Sequence, residues 1–151
     1  MYQRILVPID GSPTSKKGLS EAIALAQLTS GRIRLVHVIN EPLEAIGIDG
    51  ALTTAADIFK ILRENGERVL AEAAARVEAA RIQVDSSLLD SVDGRMCDLV
   101  VQAAQTWPAD LIVIGTHGRR GVGRVLLGSD AEQILRIAPV PVLLVRAPDK
   151  A

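Results

Sequence analysis

The chain has 151 residues and a formal net charge of −1, which predicts a single domain over residues 1–151 and gives no electrostatic reason to expect nucleic acid or an anionic membrane as a partner. Hydrophobic residues make up 48% of the chain, enough to bury a core, yet no apolar run is long enough to span a membrane. The aromatic residues are one Phe, one Trp and one Tyr, too few for a surface that stacks bases.

Apolar runs alternate with helical patterns along the first half of the chain. The predicted elements there are a strand at Ile5–Ile9, a helix from Ser12 to Gly31, a strand at Ile33–Ile39, a long connection at Asn40–Thr53 and a helix at Thr54–Arg81. Asp10 and Gly11 break the first strand, and Ser12 can cap the helix that Pro13 begins. Gly66 lies in the middle of the second helix, where glycine costs about 1 kcal/mol relative to alanine, so the pattern also allows a break there.

The second half of the chain continues this alternation. The predicted elements are a strand at Ile82–Leu89, a helix at Arg95–Thr106, a strand at Leu111–Ile114, a short helix at Ala131–Ala138 and a strand at Val142–Val145. The strand at Ile82–Leu89 is the weakest because it contains Asp85, Ser86 and Ser87. Five strands with intervening helices predict an α/β fold, a doubly wound five-stranded parallel sheet with helices on both faces in a three-layer sandwich. Such sheets bind ligands beyond the carboxyl ends of their strands, near the point where the strand order reverses.

A glycine-rich stretch, Gly115–Ser129, follows the fourth predicted strand and leads into the next helix. Glycine lets the backbone approach a ligand closely, and the free N–H groups at a helix N-terminus favour a phosphate. Ser129 lies where that helix should begin, so its hydroxyl can add a hydrogen bond. The stretch is neither a Walker A loop nor a complete dinucleotide-binding fingerprint. On glycine content alone, it can equally be a connection whose glycines serve turn geometry.

The spacing of this stretch, Gly115-x2-Gly118-x9-Gly128-Ser129, resembles the nucleotide-binding motif of the universal stress protein family. Four other segments resemble parts of the same family in the same order, namely residues 4–12, Leu35–Val38, Ala109–Gly115 and Pro141–Val145. The resemblance covers the whole chain and is weakest over residues 40–95. It implies the adenine nucleotide alpha hydrolase-like form of the doubly wound fold and a homodimer formed through Val140–Val145.

The resemblance also implies a site for ATP or another adenine nucleotide, with Mg²⁺ as a candidate companion ion. Asp10 then lies beside the nucleotide, the backbone of Val38 meets the adenine, and Gly115 lies near the sugar. Arg119 can add a charge-assisted donor to a phosphate, or be a solvated surface charge. Asp10 can also be a turn residue or a helix cap. The candidate nucleotide-binding residues are Pro8, Ile9, Asp10, Val38, Ile114, Gly115, Gly118, Arg119, Gly128, Ser129, Asp130 and Ala131.

Two positions depart from the family pattern where the phosphates are expected. Asp130 stands where the family commonly has an apolar or hydroxylic residue, and its carboxylate repels phosphate unless it points away or meets a metal ion. Ala131 replaces a residue that often carries a hydroxyl, which removes a phosphate hydrogen bond worth about 0.5–1.5 kcal/mol. Binding is therefore expected to be weaker, or directed to a different number of phosphates.

His37, Cys97 and His117 are the remaining candidates for chemistry. His37 lies in an apolar strand and is expected to be a satisfied core residue, and Cys97 a buried, inert thiol. A lone cysteine forms no intrachain disulfide, in keeping with a cytoplasmic location. His117 has no evident catalytic partner, and the spacing of histidine and cysteine does not fit a zinc site.

Three functions remain open on the sequence. The one we favour is an ATP-binding regulatory module of the stress response, with little or no hydrolysis and with a protein partner that the sequence does not identify. A slow ATPase or phosphotransferase would need a positioned base and a cation clamp, and the chain offers Asp10 and arginines but no evident base. The third, a nucleotide-free module for protein–protein interaction, is disfavoured by the intact glycine motif.

Overall fold

The computed structural model describes residues 1–39, 54–91, 94–116 and 127–147. Strands and helices alternate along these ranges as β1 Arg4–Pro8, α1 Pro13–Thr29, β2 Arg32–Ile39, α2 Ala55–Ala79, β3 Val84–Asp90, α3 Met96–Thr106, β4 Leu111–Gly115, α4 Ser129–Ile137 and β5 Val142–Val145. The predicted elements therefore agree with the observed ones to within a few residues at each end. The predicted connection at Asn40–Thr53 lies outside the described residues. No helix in the described ranges is both long and apolar enough to cross a membrane.

The five strands form one parallel sheet in the order β3-β2-β1-β4-β5. The chain moves outward from β1 through β2 to β3, and then returns to the other side of β1 to add β4 and β5. The strand order thus reverses between β1 and β4, which is the switch point of a doubly wound sheet. The predicted fold class, a five-stranded parallel sheet with helices, is confirmed.

Each face of the sheet buries its own apolar core, because alternate residues of a strand point to opposite faces. Helices α1 and α2 cover one face, and α3 and α4 cover the other. The fully buried residues of the first core include Ile5, Val7, Leu19, Ile33, Leu35, Val77 and Val113, and those of the second include Leu6, Val36, Val100, Ile112 and Ile134. Burial on both faces explains why the central strands are continuous apolar runs in the sequence.

The ladder between β1 and β4 is shorter than the ladder between β1 and β2. The register of β1 with β2 continues to the pair Pro8–Val36, whereas that of β1 with β4 ends at Leu6–Ile112. The next pair would join Val7 to Val113 and would need the N–H of residue 8 as a donor, which proline lacks. Pro8 therefore ends the contact between β1 and β4 at the switch point, where the sheet opens towards its carboxyl edge.

Helix α2 is continuous through Gly66, so the break that the sequence allowed does not occur. A Cβ atom added at Gly66 would lie 2.6 Å from Cδ1 of Leu88 and 2.8 Å from Cδ2 of His37. Glycine is present because the helix backbone lies directly against side chains of β2 and β3. The cost of glycine in the helix is thus offset by close packing.

A Gly66→Ala variant tests this explanation. Alanine gains about 1 kcal/mol of helix propensity, but the clash with Leu88 and His37 costs about 1–3 kcal/mol, so the unfolding free energy should fall by up to about 2 kcal/mol. Urea denaturation measures it, with Glu67→Ala as the control, because Glu67 is an exposed neighbour on the same helix. A Gly66→Ala variant more stable than the unmodified chain would contradict the explanation.

Candidate functional site

The turn after β1 is built around the carboxylate of Asp10. Oδ1 of Asp10 accepts a hydrogen bond from the N–H of Ser12 at 2.8 Å, and Gly11 has a φ of 81°, which glycine adopts without strain. The hydroxyl of Ser12 accepts from the N–H of Ser15 at 3.2 Å and so caps α1, as predicted, with Pro13 in the first turn. Asp10 therefore acts as a turn residue, which is one of the roles that the sequence allowed. A carboxylate has acceptor sites on both of its oxygens.

The end of β2 presents its backbone to the space beyond the end of β1. The carbonyl of Val36 accepts from the N–H of Ile9 at 2.9 Å. Residues two apart in a strand point their backbone groups to the same side. The N–H and C=O of Val38 therefore point towards β1, past Pro8 where that strand ends. The side chain of Val38 packs against the second core, so the backbone is the part of Val38 that faces the carboxyl edge.

The end of β4 lies directly beneath the first turn of α1. A Cβ atom added at Gly115 would lie 2.8 Å from both C and O of Thr14 and 3.1 Å from N of Ser15. On the helix side, Gly18 faces the same contact, since a Cβ there would lie 3.4 Å from N of Gly115. The first glycine of the Gly115–Ser129 stretch is thus required by backbone packing between α1 and β4.

Helix α4 begins beside the end of β4. The N–H of Gly128, the N-cap residue, donates to the carbonyl of Thr116 at 2.6 Å, and no side chain of the described residues caps the helix. Ser129 and Asp130 are exposed in the first turn, whereas Ala131 is 3% exposed and packs in the second core. The first backbone N–H groups of α4 therefore face the carboxyl edge. The N-cap residue is a glycine, so it has no hydroxyl or carboxylate to accept hydrogen bonds from them.

The structure explains the two departures at Asp130 and Ala131 differently. The side chain of Asp130 is exposed, so its carboxylate is solvated. The Cβ of Ala131 points into the core, which leaves its backbone N–H as the group that faces the carboxyl edge. Gly118, Arg119 and His117 lie outside the described residues.

The structure brings the described candidates to one edge of the sheet. Contacts link the Asp10 turn to β2 through Ile9, α1 to β4 through Gly115, and β4 to α4 through Thr116. Pro8, Ile9, Asp10, Val38, Ile114, Gly115, Gly128, Ser129, Asp130 and Ala131 all lie at or next to the carboxyl ends of β1, β2 and β4 or at the start of α4. Within the described ranges, no group of three or more His, Cys, Asp and Glu side chains is placed to hold a metal ion.

Sequence reasoning missed Ser15 and Thr116 behind this edge, and it did not predict the contact that His37 makes there. The Ser15 hydroxyl donates to the carbonyl of Ser12 at 3.0 Å, and Thr116, which is 5% exposed, joins β4 to both β5 and α4 through its backbone. His37 is buried, as expected of a satisfied core residue, and its Nδ1 lies 2.8 Å from the carbonyl oxygen of Ile9. Its position as a polar residue inside an apolar strand identified His37 as a core residue, but did not reveal its contact with Ile9.

A groove of about 740 Å³ lies at the opposite, amino edge of the sheet, lined among others by Arg4, Arg32, Arg81 and Asp110. The Asp110 carboxylate is occupied there by the backbone N–H groups of Gln3 and Arg4, each at 3.0 Å. The C-termini of α1 and α2 also meet this groove, and their carbonyl dipoles oppose an anion. The switch point and the open helix N-terminus favour the carboxyl edge as the functional site.

Together these features define a doubly wound α/β protein whose described candidate residues lie at the carboxyl edge of the sheet. The sequence profile of the universal stress protein family matches residues 1–146. A universal stress protein of Thermus aquaticus is 36% identical over 146 residues, covering 97% of this chain and 100% of the relative. A crystal structure of a family protein from Burkholderia pseudomallei matches with a TM-score of 0.77 at 32% identity and covers 97% of each chain. The chain belongs to the universal stress protein family.

Two further solved structures of the family contain adenine nucleotides. A universal stress protein in complex with cAMP matches with a TM-score of 0.66 at 25% identity, covering 96% of this chain and 97% of that one. A universal stress protein from Archaeoglobus fulgidus in complex with dAMP shares the fold, with a TM-score of 0.68 at 23% identity, covering 95% of this chain and 98% of that one. The nucleotides belong to those proteins, and the likeness to this chain is one of fold and family.

The glycine pair at the contact of α1 with β4 gives a matched prediction. Gly115→Ala should lower the unfolding free energy by about 1–3 kcal/mol, because the new Cβ meets helix backbone that cannot rotate away. Gly18→Ala should be neutral or stabilising by up to about 1 kcal/mol, because its Cβ finds ordinary contacts and the helix gains propensity. Thermal and urea unfolding of the two variants compare them directly. Equal losses at both positions would contradict the packing role of Gly115.

Proposed function

We propose that the chain binds ATP, or another adenine nucleotide, at the carboxyl edge of the sheet and acts as a nucleotide-dependent regulatory module of the stress response with little or no hydrolysis. The observation that carries this proposal is that the Asp10 turn and the N-terminus of α4, which no described side chain caps, both lie at the carboxyl edge of the sheet. One element offers a carboxylate for ribose hydroxyls, and the other offers amides for phosphate.

The adenosine end of the ligand fits between β1, β2 and β4. Adenine needs a donor and an acceptor along its edge, and the backbone N–H and C=O of Val38 point into the space beyond Pro8. The Asp10 carboxylate then lies beside the ribose, where its oxygens accept hydrogen bonds from the hydroxyls. In this proposal, Ile9, Ile114 and Gly115 form the walls of the crevice.

The phosphate end fits at the start of α4. The N–H groups of Ser129, Asp130 and Ala131 open there, and the helix dipole favours an anion. Ser129 can add its hydroxyl, the family motif assigns Gly118 to the same phosphates, and Arg119 can add a charge-assisted donor. The exposed Asp130 carboxylate opposes the phosphate charge, so Mg²⁺ between them would convert this repulsion into a bridge.

The cAMP complex of a related protein supports an adenine nucleotide as the ligand class for this family member. A phosphoryl-transfer enzyme would require a positioned base and a cation clamp. The described part of the edge offers Asp10, which is held in the turn by Ser12. Binding without rapid turnover is therefore the function that these residues support best.

A Gly128→Val variant tests the phosphate half of the site. A valine side chain at the N-cap covers the amides of α4, so ATP affinity should fall by at least about tenfold, equivalent to roughly 1.4 kcal/mol, while the fold persists. Isothermal titration with ATP and AMP measures the change. Gly94→Val is the matched control, because a Cβ at Gly94 meets nothing closer than 3.9 Å.

No binding of either nucleotide by the unmodified chain at millimolar concentration would remove both the regulatory and the ATPase functions. Rapid release of phosphate that persists through repurification and disappears in Asp10→Ala would instead favour the enzyme. Unchanged ATP affinity in Gly128→Val would place the phosphates elsewhere.

We also propose that the chain forms a homodimer through Val140–Val145. Strand β5 is an edge strand of the sheet, and Leu143 is 40% exposed on it. An edge strand with exposed apolar side chains favours pairing with another chain. A second copy presents the same strand and so offers a matching surface under two-fold symmetry.

A Leu143→Lys variant should convert this dimer to a monomer, because it places two charges in an apolar seam. Light scattering coupled to size exclusion measures the mass. Leu28→Lys is the control, since Leu28 is an exposed apolar residue on α1, at 85%, away from β5. Leu143 is preferred to Val142 because Val142 also packs against the second core. A dimer that survives Leu143→Lys would put the interface elsewhere.

A further inference from the structure

His37 contacts the backbone that leads into the Asp10 turn. It is 7% exposed, inside an apolar strand, on the face of the sheet covered by α1 and α2. Its Nδ1 lies 2.8 Å from the carbonyl oxygen of Ile9. A carbonyl oxygen only accepts, so Nδ1 carries the hydrogen of this bond. The imidazole therefore holds the last peptide before Asp10.

The opposite side of the ring is fixed by helix α2. A Cβ at Gly66 would lie 2.8 Å from Cδ2 and 3.3 Å from Nε2 of His37, so the helix backbone itself forms the wall behind the imidazole. The ring is held between a carbonyl of the β1 end and the backbone of α2. It cannot withdraw from Ile9 without displacing a helix that packs on the first core.

Because the backbone of Ile9 is held in place, the position of the neighbouring Asp10 carboxylate is also restrained. The N–H of Ile9 is bonded to Val36 at 2.9 Å and its C=O to His37, so this residue is fixed on both sides. Asp10 follows immediately, and its Oδ1 accepts from the N–H of Ser12 at 2.8 Å. The orientation of the carboxylate thus depends on a backbone segment that β2 holds at two points.

We propose that His37 is a positioning residue for the nucleotide site, which fixes the Asp10 carboxylate through its hydrogen bond to the carbonyl of Ile9. This inference rests on the proposed function, because it assigns Asp10 to the ribose of a bound adenine nucleotide. His37 does not touch the ligand. It acts by keeping the turn in the conformation that the ribose requires.

Two substitutions separate this role from general packing. The side-chain amide nitrogen of asparagine lies the same number of bonds from Cα as Nδ1 of histidine, so His37→Asn retains a donor for Ile9. His37→Leu keeps a comparable volume and removes the donor. Both lose the ring contacts with Gly66, and a purely structural role would therefore affect both alike. Val77→Ala is a control for a loss of stability alone, because Val77 is a buried core residue of α2 that lies at the amino edge of the sheet.

The first measurement is the affinity for AMP, which tests the adenosine half of the site with a single phosphate. His37→Leu should bind AMP about tenfold more weakly, as expected for one lost hydrogen bond. His37→Asn should stay within about threefold of the unmodified chain, and Val77→Ala should match it. Equal affinity in His37→Leu and the unmodified chain would overturn the proposal, as would equal losses in His37→Leu and His37→Asn.

The second measurement needs no nucleotide. Hydrogen exchange of the Ser12 amide reports its bond to the Asp10 carboxylate, and this exchange should accelerate in His37→Leu and not in His37→Asn. Unchanged Ser12 exchange in His37→Leu would overturn the proposal even if AMP affinity falls. If the unmodified chain binds no AMP while Ser12 exchange still depends on the donor at position 37, the proposed function fails and the control of the turn by His37 stands.

Discussion

The absence of an N–H at Pro8 is the constraint on which the site depends. A parallel ladder between β1 and β4 would continue at Pro8 if residue 8 could donate, but it ends two residues earlier on that side. The sheet is therefore continuous through the core and open at its carboxyl edge, at the position where the strand order reverses. The backbone of Val38, the Asp10 turn and the start of α4 all face this opening because β1 ends there.

Glycine has two different uses at this edge. Gly115 allows the first turn of α1 to lie on the end of β4, and this contact brings the Asp10 turn, which precedes α1, next to β4. Gly128 ends the connection without a side chain at the N-cap of α4. The first glycine thus allows α1 to pack on β4, and the later one leaves the start of α4 without a covering side chain. The glycine motif was identified by a spacing that suits a ligand, but its first glycine is also required for the packing of α1 on β4.

Most of the fold could be predicted from the sequence, because both faces of a parallel sheet are buried and its strands are apolar. The least regular predicted strand, β3, is an edge strand of the sheet, so Asp85 can be exposed there and form an ion pair with Arg34. Gly66 could not be interpreted from helix propensity, since its cause is a contact with His37 that depends on the packing of α2 on β2. Local preferences locate elements, and only tertiary contacts explain the exceptions.

The candidate site was predictable in part for the same reason. Asp10 and Ser129 follow from their positions at a strand end and a helix start, and the resemblance to a family added Val38. Periodicity indicates that Ala131 and His37 face the core, but the contact of His37 with Ile9 behind the turn depends on tertiary packing, which no single-sequence pattern gives. The residues that hold the site in place are less visible in sequence than those that line it.

The most direct test of the carboxyl-edge site is a map of amide chemical shifts during titration with ATP. The largest changes should occur at Asp10, Val38, Gly115 and Ser129. The indole N–H of Trp107, which lies with Arg32 and Arg34 at the amino edge, should not move. Shifts confined to the amino edge, or no shifts at millimolar ATP, would contradict the proposed nucleotide site.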